Sequence, residues 1–200
     1  MNNYELSRDR AQKYFLGFDQ ESIIRTWGLD ADAQWLYTDF FGRSYRICRR
    51  TGSVYRCWDD SQAEFSEVLS IFDLLCHACD EKFVSGSYAP VNSLKNRPKT
   101  QGVGSVFDTR FAAVFDRDPE GFRQACEDFG GAAVPMGDLG FRFPVFGPLH
   151  VIVKFYHADE DFPASVTLLW DDETLRYVYY ETVFYMAGFL LDSLSKAMTE

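Results

Sequence analysis

Residues 137–172 read GDLGFRFPVFGPLHVIVKFYHADEDFPASVTLLWDD, and the alternation within them decides the fold. Phe141, Phe143 and Val145 alternate with Arg142 and Pro144, which predicts a strand over 141–146. Val151 to Tyr156 is rich in β-branched and aromatic residues, and Ser165 to Trp170 repeats that composition after a Phe-Pro break, so two more strands follow. Gly147-Pro148 turns the chain back between the first two, and the acidic run Asp159-Glu160-Asp161 lies in the loop before the third. Three antiparallel strands form the centre of a sheet.

Working outward, Asp171 is expected to cap a last helix, with Asp172 and Glu173 at its positive end. Its middle, Val183 to Leu191, is apolar on nearly every face, which suits a core position or a homo-oligomer contact. On the N-terminal side, Asp118-Pro119 places a cap and a first-turn proline ahead of Phe122, Ala125, Cys126 and Phe129, and Gly130-Gly131 ends that helix. Ser105 with Asp108 predicts a cap for the helix before it, and residues 85–104 read as a long ordered loop.

The first half opens with a helix over Tyr4–Phe18 and a second, capped by Asp19, ending at Gly28. Trp35 to Phe41, Tyr45 to Cys48 and Val54 to Trp58, separated by Gly42-Arg43 and Thr51-Gly52, predict a three-stranded meander. Ser61 and Glu64 have capping-box spacing before the stripe Val68, Leu69, Phe72, Leu75, Cys76 and Cys79, so a helix is expected over about 61–80. The expected fold class is α+β in one globular domain over 1–200, a largely antiparallel sheet with strands from both halves and helices packed against it.

The chain has 200 residues, 46% of them hydrophobic, and a formal charge of −10, which opposes binding to a phosphate backbone. Its opening residues carry charges where a secretory signal has an apolar segment, and no run reaches about 18 apolar residues. Five cysteines spread through predicted elements do not frame a disulfide scaffold. These features predict a cytoplasmic protein with neither a nucleic-acid nor a membrane partner.

Several of these residues occur, in order, in a known family: Gly86 and Tyr88, Phe107 and Arg110, Phe122, Gly130-Gly131, Gly137-Asp138, Pro148, Asp159-Glu160 with Phe162-Pro163-Ala164, and Asp171 followed by Glu181. Phe41-Gly42 followed by Tyr45 and Ile47 extends the match into the first half. Over roughly residues 35–195 the chain resembles the prokaryotic family catalogued as domain of unknown function 3786. The resemblance implies a soluble α+β domain without an established activity, and a link to anaerobic metabolism through relatives joined to iron–sulfur modules. This chain lacks the four-cysteine cluster of such modules, and Lys95, Arg97 and Lys99 depart from the family pattern between Leu94 and Gly102.

Three sets of residues bear on chemistry. An antiparallel return places Asp138, at the start of the first central strand, near the loop after Tyr156, so Asp138, His157, Asp159, Glu160 and Asp161 form the candidate ligand-binding set. Clustered carboxylates there suit a hard cation or a shifted general acid, while loop anchoring is the simpler reading of the same residues. Cys76-His77-Ala78-Cys79 has metal-ligand spacing but continues an apolar stripe, which predicts reduced, buried, metal-free thiols. Gly102-Val103-Gly104-Ser105 suits linkage and capping or a bound phosphate without matching a Walker loop, and His150 reads as structural. The leading functional reading is a non-catalytic accessory domain for an unknown small molecule or protein, with no cofactor specified. The alternative is a carboxylate-dependent, metal-assisted enzyme at the Asp138 and Asp159–Asp161 end of the sheet.

Overall fold

The computed structural model describes residues 3–77, 83–98 and 108–199, which gather into two compact units. The first comprises Met1–Lys82 with Arg176–Met186, the second Phe83–Leu175 with Ala187–Glu200.

The first unit begins with α1 (Asn3–Leu16) and α2 (Gln20–Trp27). Asp19 caps α2 as its position predicts, its Oδ1 accepting from the amides of Glu21 at 3.1 Å and Ser22 at 3.2 Å, and Gly28 closes it at φ 63°. Strands β1 (Trp35–Phe40), β2 (Arg43–Cys48) and β3 (Val54–Arg56) form the expected antiparallel meander. Phe41 and Gly42 both take positive φ in the two-residue β1–β2 turn, matching the twist of the strands they join. Helix α3 (Phe65–His77) packs on α1, and Phe15 stacks on Phe72 with 4.6 Å between ring centroids.

Helix α3 starts later than its spacing predicts, because Ser61 does not cap it. Ser61 bonds to Asp59 instead, and the Glu67 carboxylate accepts the Glu64 amide at 2.7 Å. Cys76 is half-buried rather than buried, and its thiol is free. Cys79, Lys99 and the 102–105 segment lie outside the described residues.

The second unit is built on five strands: β4 (Tyr88–Pro90), β5 (Ala132–Ala133), β6 (Leu139–Phe146), β7 (Leu149–Tyr156) and β8 (Ser165–Asp171). Their order is β4-β8-β7-β6-β5, all antiparallel, with β6, β7 and β8 where the sequence predicts them. The edges are additions: β4 lies within the expected loop, and a two-residue strand such as β5 carries too little pattern to be read. Strands of the two halves form two separate sheets, not one.

Leu139, Phe141 and Phe143 share a face with Val151, Val153 and Phe155. On that face Phe122 lies 5.4 Å from Phe155 and stacks on Phe115 at 4.3 Å, which seats α4 (Asp108–Arg117) and α5 (Pro119–Asp128). Burying each such phenylalanine contributes roughly 2–3 kcal/mol. Asp118 caps α5 as expected, accepting from the Gly121 amide at 3.0 Å.

Asp171 does not cap the last helix. It ends β8, a short turn over Thr174–Arg176 follows, and α6 (Tyr180–Ala197) begins nine residues on. Met186, Leu190, Leu191 and Leu194 of α6 are fully buried, whereas Tyr185 is exposed and Phe189 half-buried, so the helix is less completely enclosed than its composition suggests.

Candidate functional site

The candidate set gathers where β6 begins and β7 ends. Gly137 makes the approach possible: it sits at φ +68°, and a Cβ there would overlap the Phe155 carbonyl oxygen. The Asp138 amide donates to that oxygen at 2.9 Å, and Asp138 Oδ2 accepts from the His157 amide at 2.8 Å. Asp138 therefore clips the first strand onto the residue following the second, as the antiparallel register requires.

Asp159 folds the next loop. Its Oδ1 accepts from the amides of Asp161 at 2.9 Å and Phe162 at 2.7 Å, and its own amide donates to the Phe162 carbonyl at 2.9 Å. Asp138 commits one oxygen to one amide and Asp159 one oxygen to two. Asp138 Oδ1 and Asp159 Oδ2 accept no hydrogen bond among the described residues.

The His157 ring meets a partner that the sequence did not suggest: its Nδ1 lies 2.8 Å from Oδ1 of Asp116, in the last turn of α4. With Nδ1 protonated and donating to that carboxylate, Nε2 is the acceptor nitrogen. The ring also stands edge-on to Phe155, 5.1 Å away. No spacing in the sequence ties Asp116 to His157, since the pair is 41 residues apart and meets only after α4 packs on the sheet.

Asp138, His157 and Asp159 border one cavity of about 560 Å³, completed by Tyr156, Phe162, Pro163 and Ser165. That volume is in the range of small-molecule sites. Phe162 is 69% exposed at its mouth, and the Lys154 ammonium lies 5.2 Å from the Tyr156 ring. Glu160 and Asp161 are exposed in the loop and do not border the cavity. No group of three or more His, Cys, Asp or Glu is placed to hold a metal ion among the described residues. The arrangement suits a ligand carrying hydrogen-bond donors or positive charge, set against two carboxylates and an imidazole, with an apolar part lying on aromatic rings.

The other described sequence candidates do not line this cavity. His150 Nδ1 bonds to the Pro148 carbonyl at 2.9 Å, a hairpin contact. Burial pushes the Cys76 thiol up to about 12, with Asp73 adding to the shift.

Two antiparallel sheets with packed helices define an α+β protein, and among the described residues no helix is long and apolar enough to cross a membrane. The chain belongs to the family described as Domain of unknown function (DUF3786), whose model matches residues 19–193. That match reaches past the meander to Asp19, the cap of α2. No curated protein and no solved structure matches the chain.

Proposed function

We propose that the chain is a cytosolic, non-catalytic accessory domain that binds a small polar ligand in the cavity beside Asp138, His157 and Asp159. The observation that carries this reading is that Asp138 and Asp159, each with one carboxylate oxygen outside any hydrogen bond among the described residues, border the same cavity as an imidazole and two aromatic side chains. A role in anaerobic metabolism belongs to the same proposal and rests on the family resemblance. The test is a thermal-shift screen of small amines, amides, polyols and sugars, repeated on Asp159→Asn and Phe162→Ala. Asparagine keeps the oxygen that accepts the loop amides and removes the charge. Compounds that raise the wild-type midpoint are expected to lose most of that shift in both variants. Shifts unchanged in both, or no stabilising compound, would remove this cavity as the site.

The enzyme reading is favoured by one observation, the Asp116 carboxylate against His157 Nδ1, an arrangement that orients an imidazole for proton transfer. It becomes the better account if a compound found in the screen is chemically converted, and if His157→Gln stops conversion while binding persists.

A further inference from the structure

The first unit holds a second cavity, of about 400 Å³, lined by none of the candidate ligand-binding residues. Ser7, Ala11 and Tyr14 line it from one face of α1, Leu69, Phe72 and Asp73 from α3, and Tyr179 and Thr182 close it. Its walls are mainly carbon, which suits an apolar body.

Asp73 is the exception among those walls. It is 8% exposed, its Oδ2 accepts from the Tyr179 amide at 2.8 Å, and the Thr182 hydroxyl bonds to the carboxyl group. Yet it has no ion-pair partner within 4 Å among the described residues. The comparison within the same helix is direct, because Glu67, which is fully buried, is held by the Arg56 guanidinium. Burial raises the pKa of Asp73 against the opposing pull of its hydrogen bonds from Thr182 and Tyr179 and of the nearby His77, with Glu181 adding to the rise. His77, one turn further along α3, has its ring against Tyr179 at 3.9 Å between centroids. Arg10 also lines the cavity but is exposed, where water and salt screen its charge.

An apolar chamber with one desolvated carboxyl selects for a ligand that brings both carbon surface and the missing cation. We infer that this cavity binds a small amphiphilic amine, its apolar body between α1 and α3 and its ammonium on Asp73. A neutral isostere gains the same apolar contact without the charge-assisted hydrogen bond, so the amine is expected to bind about tenfold or more tightly. The proposal is independent of the site in the second unit.

The experiment is calorimetric titration of the full chain at neutral pH with phenethylammonium, 2-phenylethanol and 3-phenylpropanoate. Phenethylammonium is expected to bind most tightly, and Asp73→Asn, which retains an oxygen for Tyr179 and Thr182, to bring it down to the level of the alcohol. Ala11→Trp fills the chamber from the partly exposed side of α1 while leaving Asp73 in place, and is expected to abolish binding with unfolding unchanged. Binding should survive Asp159→Asn with Phe162→Ala in the second unit. The inference is overturned by the anion binding as tightly as the amine, by binding that persists in Ala11→Trp, by loss of binding in the second-unit variant, or by no measurable heat with the amine.

Discussion

Glu67 in the first unit and Asp171 in the second are the carboxylates most fully removed from water among the described residues, and they are held by opposite means. In the first unit Glu67, 0% exposed, accepts from Arg56 Nε at 2.9 Å and Nη2 at 2.5 Å, from the Tyr45 hydroxyl at 2.7 Å and from the Glu64 amide at 2.7 Å. In the second, Asp171, 1% exposed, accepts from the amides of Ser85 at 3.0 Å, Gly86 at 2.8 Å and Glu173 at 2.9 Å, with the Ser85 hydroxyl at 3.2 Å. The first is a side-chain network joining β2, β3 and α3. The second is a backbone cradle that holds the approach to β4 against the end of β8. A network of ionised side chains fails together when its centre is removed, whereas loop amides can turn to water. The hydrogen bonds and charge of Glu67 raise the pKa of Arg56, and burial, then Glu67, raises that of the Tyr45 phenol, so both groups stay protonated.

The largest expected effect follows directly. Glu67→Ala leaves Arg56 and Tyr45 without their acceptor, and should lower the unfolding free energy by about 4 kcal/mol in chemical denaturation. Asp171→Ala should cost about 2 kcal/mol, with hydrogen exchange accelerating first at Ser85 and Gly86, and Asp171→Asn should recover part of the loss. Equal costs for the two alanine variants would break the comparison.

A smaller effect distinguishes the third buried carboxyl, Asp73, which has neither a guanidinium nor a set of amides. Its folded pKa is raised, so the native state holds the proton more tightly than the unfolded chain does. Its contribution is therefore fully present below the unfolded value of about 3.9 and is lost as pH rises from there through the folded pKa. Subtracting the stability of Asp73→Asn from that of the wild type across this interval should give a difference that falls with pH. A flat difference would place Asp73 with the well-compensated carboxylates.

Much of the fold follows from short-range rules. Asp19 and Gly28 bound α2, Asp118-Pro119 starts α5, and Gly147-Pro148 turns β6 into β7, each through chemistry within a few residues. The same hairpin geometry makes the approach of Asp138 to His157 legible, because antiparallel return is a property of the local chain. In the sequence, Glu160 and Asp161 join that set only through their adjacency to Asp159. Their exclusion from the cavity follows from how the Asp159 carboxylate bends the loop onto its own amides, a detail the acidic run does not encode.

Local chemistry along the chain therefore accounts for the α+β class, the three central strands and two helix caps, and the ordered residues carry the family. Tertiary structure alone decided that the strands divide into two sheets, that Glu67 rather than Ser61 meets the start of α3, that Asp171 cradles a loop instead of capping α6, and that Asp116 faces His157. The physical reason is range. Caps, turns and hairpins draw their free energy from neighbours along the chain, while a buried carboxylate takes whichever donor packing delivers, and packing depends on the whole core at once.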